Sequence, residues 1–139
     1  MDIATKNLVY IVDDDPDDRQ IILDAFLENN AEMDYVFAED GSQLLQNLEE
    51  ADDDSNLPTL ILLDLNMPGM LGLQALKEIK GNKKFSSIPT IVLTTSVLPM
   101  DKKLSYEYGA NCFLSKPAVY SELVSITKMI ARLYFHQWK

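Results

Sequence analysis

The chain is poor in the features that secreted, membrane-spanning and nucleic-acid-binding proteins depend on. It has a single cysteine, Cys112, so no internal disulfide can form, and its first residues, MDIATKN, lack the basic-then-apolar order of an export signal. A cytoplasmic location is the resulting expectation. Asp, Asn, Lys or Pro interrupts every apolar run before it reaches the roughly 18 residues that cross a bilayer, so no membrane role is expected. Positive charge is also scarce: 12 Lys and Arg stand against 22 Asp and Glu, a formal net charge of −10. That balance argues against binding to nucleic acid or to an anionic membrane surface, both of which need clustered basic residues. The one histidine, His136, lies near the C-terminus and is not expected to act as a general base. No internal repeat, low-complexity tract or long linker divides the chain.

What is present is enough apolar residue for one continuous core: 47% of 139 residues, the size of one compact domain covering 1–139. Short apolar runs predict five strands, at Leu8–Val12, Tyr35–Ala38, Leu60–Leu63, Ile88–Leu93 and Cys112–Leu114. Helical spacing predicts helices between and after them, near Pro16–Asn29, Gly41–Glu50, Leu71–Lys80, Pro99–Tyr108 and Val119–Tyr134. In the first, Ile21, Ile22, Ala25 and Phe26 form the expected inner face, and in the last, Leu123, Ile126, Ile130 and Leu133. The strands before Asp64 and Thr94 are apolar at consecutive positions, as strands covered on both faces are. Right-handed crossovers then predict a doubly wound α/β fold with a five-stranded parallel sheet, whose ligand site lies beyond the carboxyl ends of the strands. The acidic stretch Glu49–Asn56 is read as a solvated loop.

The strand ends carry Asp13 and Asp14, Asp64, Thr94 and Thr95, and Lys116. Three carboxylates at one sheet edge repel one another unless a cation sits among them. Mg²⁺ suits such a cluster, since it takes oxygen ligands and is commonly bound by one or two carboxylates plus a phosphate oxygen. With the ion present, one carboxylate can attack phosphorus while a lysine and a hydroxyl meet the phosphoryl oxygens. Taken singly, Asp13, Asp14 and Thr94 could be helix caps, Asp64 a strand-end acid and Lys116 a surface lysine. Asp15, Asp17 and Asp18 flank Pro16 at a helix start and are read as caps. The residue types recur together at four strand ends, which local structure alone does not explain.

These residues resemble the receiver domains of two-component response regulators. The match is carried by IVDDDPDD at 11–18, LILLDLNMPGMLG at 60–72, IVLTTS at 91–96 and GANCFLSKPA at 109–118. The resemblance implies the (βα)5 flavodoxin-like receiver fold, with Asp64 as phosphoacceptor and Asp13, Asp14, Asp64 and the main-chain carbonyl of Asn66 holding Mg²⁺. It also implies Lys116 as the phosphoryl contact, Thr94 and Phe113 as the switch pair, Asn66 and Ser96 as positions that tune water access, and a cis Lys116–Pro117 bond. Leu71 replaces the usual Asp before Gly72, and Ala118 the usual Phe after Lys-Pro. Ala118 and the aromatic end of the last helix, LYFHQW at 133–138, resemble the single-domain regulators paired with bacterial phytochrome histidine kinases. A sensor histidine kinase, phytochrome-type, or a phosphotransfer protein is the implied partner, with output by protein contact or phosphate relay and no substrate turnover.

Other readings fit less well. A haloacid-dehalogenase-like phosphatase needs Asp-x-Asp-x-Thr/Val after the first strand, and the fifth residue from Asp13 is Asp17. An FMN or dinucleotide binder needs a hydroxyl- or glycine-rich loop where this chain has DDDPDD. A docking-only pseudo-receiver would lack one of the chemical residues, and none is missing. Finally, Tyr134, Phe135 and Trp138 leave apolar area beyond the core-facing positions, which predicts a homodimer through the last helix and fifth strand.

Overall fold

Four consecutive apolar residues, Leu60–Leu63, can all be hidden only if a strand is covered on both faces. The computed structural model, which describes residues 7–51, 56–66 and 72–136, has that cover. In chain order the elements are β1 (Asn7–Val12), α1 (Pro16–Glu28), β2 (Met33–Ala38), α2 (Gly41–Glu50), β3 (Leu60–Leu63), α3 (Gly72–Gly81), β4 (Thr90–Thr94), α4 (Pro99–Glu107), β5 (Cys112–Ser115) and α5 (Tyr120–Tyr134). The strands pair in parallel in the order β2-β1-β3-β4-β5, with Val12 opposite Leu63, Leu63 opposite Val92 and Thr94 opposite Ser115. This is the doubly wound (βα)5 sheet expected from the sequence. No helix among the described residues is long and apolar enough to cross a membrane.

The alternation of side chains along each strand divides one apolar run between two cores. Val9, Ile11, Leu60, Leu62, Ile91 and Leu93 face Ile22 and Phe26 of α1 and Leu123 and Ile130 of α5. Tyr10, Val12, Ile61, Leu63 and Val92 face Leu44 and Leu48 of α2 and Leu76 and Ile79 of α3. Each such Leu or Ile, fully buried, contributes about 1.5–3 kcal/mol.

Several details differ from the sequence reading. β4 starts at Thr90, because Pro89 has no N–H to donate to the ladder and the carbonyl of Ile88 accepts from Lys80 Nζ (2.7 Å) and Thr90 Oγ1 (3.1 Å) instead. On α1 the buried face is Ile22, Leu23, Ala25 and Phe26, and Ile21 is exposed. On α5 the buried stripe is Leu123, Thr127, Ile130 and Ala131, with Ile126 half-buried. Leu133 lies about 100° round the helix from the centre of that stripe and is 66% exposed, so it is not a core position.

The end of α5 also turns inward. Phe135 is buried and stacks on Phe26, with ring centroids 5.6 Å apart. His136 donates its N–H to Asn7 Oδ1 (2.8 Å), and Asn7 Nδ2 donates to the His136 carbonyl (3.1 Å). The expected exposed aromatic cluster is therefore corrected at Phe135, whose ring completes the core under α1; Trp138 lies outside the described residues, as do 52–55 of the acidic loop. Asn29 joins the same two helices, its Nδ2 donating to Ala25 O, Val124 O and Thr127 Oγ1 at 3.0–3.1 Å.

Gly72 brings the start of α3 against the residues that follow β3. A Cβ at this position would lie 2.5 Å from the Asp64 carbonyl oxygen and 2.8 Å from Leu65 Cα, both main-chain atoms that cannot swing aside. Gly72→Ala is expected to lower stability by about 1–3 kcal/mol through this overlap. Thermal unfolding reads the effect; an unchanged melting temperature would contradict the close approach.

Candidate functional site

The parallel hydrogen-bond ladder runs one residue past the strands, and that residue is a candidate site residue each time. Asp13 N–H donates to Ala38 O (3.0 Å), Asp64 N–H to Val12 O (3.0 Å) and Lys116 N–H to Thr94 O (2.9 Å). The main chain at Asp13, Asp64 and Lys116 is thus held in the sheet while the side chains project from its carboxyl edge. Asp13 is further fixed by two contacts: its Oδ1 accepts from Asp15 N (3.0 Å), and its carbonyl accepts from Arg19 Nη1 (2.7 Å). Asp64 Oδ1 accepts from Asn66 N (3.2 Å).

The side chains converge as the strand ends predict. One carboxylate oxygen from each of Asp13, Asp14 and Asp64 lies within 4.8 Å of the other two. Asp13 and Asp64 are buried and Asp14 is exposed, so the cluster has a floor and an open side. All three donors are hard oxygens. His136 is no candidate ligand here, since its main-chain bonds to Asn7 place it at the opposite end of β1. The donor set suits an oxygen-loving divalent cation such as Mg²⁺ and not a sulfur- or imidazole-bound metal.

Lys116 supplies positive charge to the same cluster. Its Nζ lies 2.5 Å from Asp13 Oδ2, 3.0 Å from Asp18 Oδ2 and 3.2 Å from Asp64 Oδ2. Burial alone would lower the pKa of Lys116, but the bonds to Asp13 and Asp18 and the charges of Asp64 and Asp13 outweigh it and hold the ammonium firmly protonated. Burial raises the pKa of Asp13; its bond to Lys116 opposes the rise, and the neighbouring Asp64 adds to it.

Thr94 is fully buried as the last residue of β4. Its Oγ1 accepts from Ser96 N (3.2 Å) and from Asn66 Nδ2 (3.4 Å), and Asn66 Nδ2 also reaches Thr95 Oγ1 (3.2 Å). Ser96 Oγ in turn bonds Asp101 on α4. Phe113 is half-buried against the α2–α3 core, and its N–H donates to the Tyr106 hydroxyl of α4 (3.1 Å). The candidate residues Asp13, Asp14, Asp64, Asn66, Thr94 and Lys116 therefore lie at or beside the carboxyl edge of the sheet, and Phe113 lies within β5, opposite Val92. The stretch 67–71, which includes Leu71, lies outside the described residues.

Three features were misjudged or missed from the sequence. The capping role holds for Asp15, whose carboxylate accepts from Asp17 N (2.8 Å), but Asp18 pairs with Lys116. Its position one helical turn beyond Asp14 is the signal that could have revealed it. The Asn66 side chain, and not only its main chain, takes part, by bridging the β3 and β4 ends. No peptide bond among the described residues is cis, so Lys116–Pro117 is trans and that implication of the resemblance is corrected. The two isomers of an X–Pro bond differ by only about 0.5–1 kcal/mol, so the trans form needs no special support.

Comparison with known proteins agrees with this geometry. Residues 9–128 match the model of the response regulator receiver domain. The chain is 31% identical over 125 residues to Response regulator Rcp1 of Synechocystis sp., covering 88% of this chain and 85% of that one. Two other curated relatives, Response regulator Rre1 of Synechocystis sp. and Transcriptional regulatory protein BaeR of Escherichia coli, are longer, and the chain spans about half their length. Among solved structures, the phosphorylated cyanobacterial phytochrome response regulator RcpA superposes with a TM-score of 0.84 at 31% identity, covering 96% of this chain and 97% of that one. The Mn²⁺-bound form of Rcp1 superposes with a TM-score of 0.80 at 27% identity, with the same coverage. With the family model matching most of its length and the strand-end acids, hydroxyl and lysine in one place, the chain belongs to the response regulator receiver family.

Proposed function

We propose that this chain is a phosphorylation switch in which Asp64 accepts a phosphoryl group from the phosphohistidine of a sensor histidine kinase or a phosphotransfer protein. The observation that carries the reading is the meeting of Asp64, the Asp13–Asp14 pair and the Lys116 ammonium at one sheet edge. An Asp64 carboxylate oxygen forms the new P–O bond as the P–N bond to the donor imidazole breaks, and the imidazole, already protonated on its other ring nitrogen, leaves neutral. Asp13, Asp14, Asp64 and the Asn66 carbonyl would hold Mg²⁺. When bound, the ion supplies charge neutralisation for the incoming phosphoryl oxygens. Lys116 meets one of those oxygens. Thr94 can donate to another, because its two acceptor bonds leave its own proton free. A phytochrome-type kinase is the favoured donor, since RcpA is a phytochrome response regulator and its structure is phosphorylated. The protein assists its own phosphorylation and signals by protein contact or relay.

With acetyl phosphate and Mg²⁺, the unchanged chain should gain one phosphoryl group by intact mass and Asp64→Asn none. Asp14→Asn, or added EDTA, should slow labelling by about a hundredfold or more, equivalent to ~3 kcal/mol of lost charge stabilisation. Undiminished labelling of Asp64→Asn at no new residue refutes the assignment.

The read-out is proposed to run from Thr94 to Phe113. Drawing the Thr94 hydroxyl to the phosphoryl group breaks its bond from Asn66 and opens room towards which the half-buried Phe113 ring turns, altering the α4–β5 surface. Thr94→Ala should still be phosphorylated but lose the phosphorylation-dependent shift of Phe113 ring resonances in NMR spectra. If those resonances shift as in the unchanged chain, the coupling does not exist.

Self-association through α5 and β5 is retained on a smaller patch. β5 is an edge strand, and Met129 and Leu133 remain exposed on α5 after Phe135 is withdrawn into the core. A twofold contact would bury that patch on both copies. Sedimentation at micromolar concentration, with and without phosphorylation, should show a dimer that Leu133→Glu weakens at least tenfold, about 1.4 kcal/mol. A monomer under both conditions rules it out.

A further inference from the structure

Lys116 and a divalent cation claim the same oxygens. Of the three carboxylates that hold the Lys116 ammonium, Asp13 and Asp64 also belong to the cluster suited to the cation. An ion bound there occupies their lone pairs and repels the ammonium. The third, Asp18, stands apart from that cluster, on the first turn of α1, and its side chain is 40% exposed where those of Asp13 and Asp64 are 2% and 6% exposed. Its place is well fixed. Pro16 and the Asp15 cap set the start of α1, and Arg19, the next residue, bonds the Asp13 carbonyl. On that first turn Asp18 meets the positive end of the helix dipole.

We propose that Asp18 is a positioning residue that retains the Lys116 ammonium when a divalent cation takes Asp13 and Asp64. Lys116 then stays at the phosphoryl site instead of excluding the ion from it or leaving for solvent. The surroundings favour such a pair: Asp18 and Lys116 line a cavity of about 290 Å³ whose other walls include Ile21, Ile22, Pro117, Ala118 and Leu123. The Lys116 end of the pair is the sheltered one, its side chain 13% exposed, while Asp18 stays open to solvent. Arg19, the other cation nearby, does not compete for Asp18, because its guanidinium is engaged with the Asp13 carbonyl and lies over the Phe37 ring.

This inference rests on the cation site of the proposed function, and a double-mutant cycle on Mg²⁺ affinity tests it. Isothermal titration with Mg²⁺ is made on the unchanged chain, Asp18→Asn, Lys116→Met and the double variant. Lys116→Met should bind Mg²⁺ about three- to tenfold more tightly, having lost the competing ammonium. Asp18→Asn should bind about five- to tenfold more weakly, since the ammonium falls back on Asp13, yet the same change in the Lys116→Met background should cost less than about twofold. Asp18→Glu, which restores the carboxylate, should recover most of the loss. Equal weakening in both backgrounds would mean that Asp18 acts on the ion by its field alone, and it overturns the proposal, as does no weakening at all. Labelling of Asp64 by acetyl phosphate in the same proteins separates the two readings. Labelling without coupling removes the role of Asp18 only; coupling without labelling supports it while removing the phosphoacceptor; no saturable Mg²⁺ binding by the unchanged chain overturns both.

Discussion

The site depends on the parallel ladder reaching one residue beyond its strands. In a parallel sheet the bonds are staggered, so the N–H of the residue after one strand finds the last carbonyl of its neighbour. Asp13, Asp64 and Lys116 each use that bond, to Ala38, Val12 and Thr94 in turn. Their Cα positions are thereby set by the best-buried part of the molecule, and only the side chains remain to adjust. Gly72 tightens the arrangement from the other side, by letting α3 approach the Asp64 carbonyl.

The geometry is costly in charge. Asp13, Asp18 and Asp64 gather round Lys116 and Asp14 stands beside Asp13 and Asp64, with Asp13 and Asp64 buried. Like charges at this spacing oppose folding unless counter-charge is present, so binding a cation to the folded state would stabilise it by linkage. Lys116 partly fills that need itself. The hydroxyl side of the site is likewise held in waiting: Asn66 Nδ2 bonds Thr94 and Thr95, and Thr94 is the hydroxyl that the proposed phosphoryl group on Asp64 would claim.

The strand ends were legible because the signals behind them are local. Leu60–Leu63 and Ile91–Leu93 are uninterrupted apolar runs, and the polar residue that stops each is the one delivered to the sheet edge. Helix positions were legible for the same reason, with Pro16 and Pro99 each opening a helix at a place where the missing N–H costs nothing. Register was less so. Ile88 reads as strand by composition, but the Lys80 ammonium and the neighbouring Pro89 remove it from the ladder.

By itself, then, the sequence determined the alternation of strands and helices, the parallel sheet, and which acids, hydroxyl and lysine meet at its carboxyl edge. Those follow from periodicity and from the rule that a doubly wound sheet gathers its strand ends. Only the tertiary structure decided that Asp18 pairs with Lys116 across 98 residues, that Asn66 bridges to Thr94 through its side chain, and that Phe135 packs on Phe26 while Leu133 faces out. Each of these turns on the rotation of a helix about its axis or on a distance between elements far apart in the chain. A spacing along the sequence constrains neither to the ångström, because the packing of one helix on another sets both.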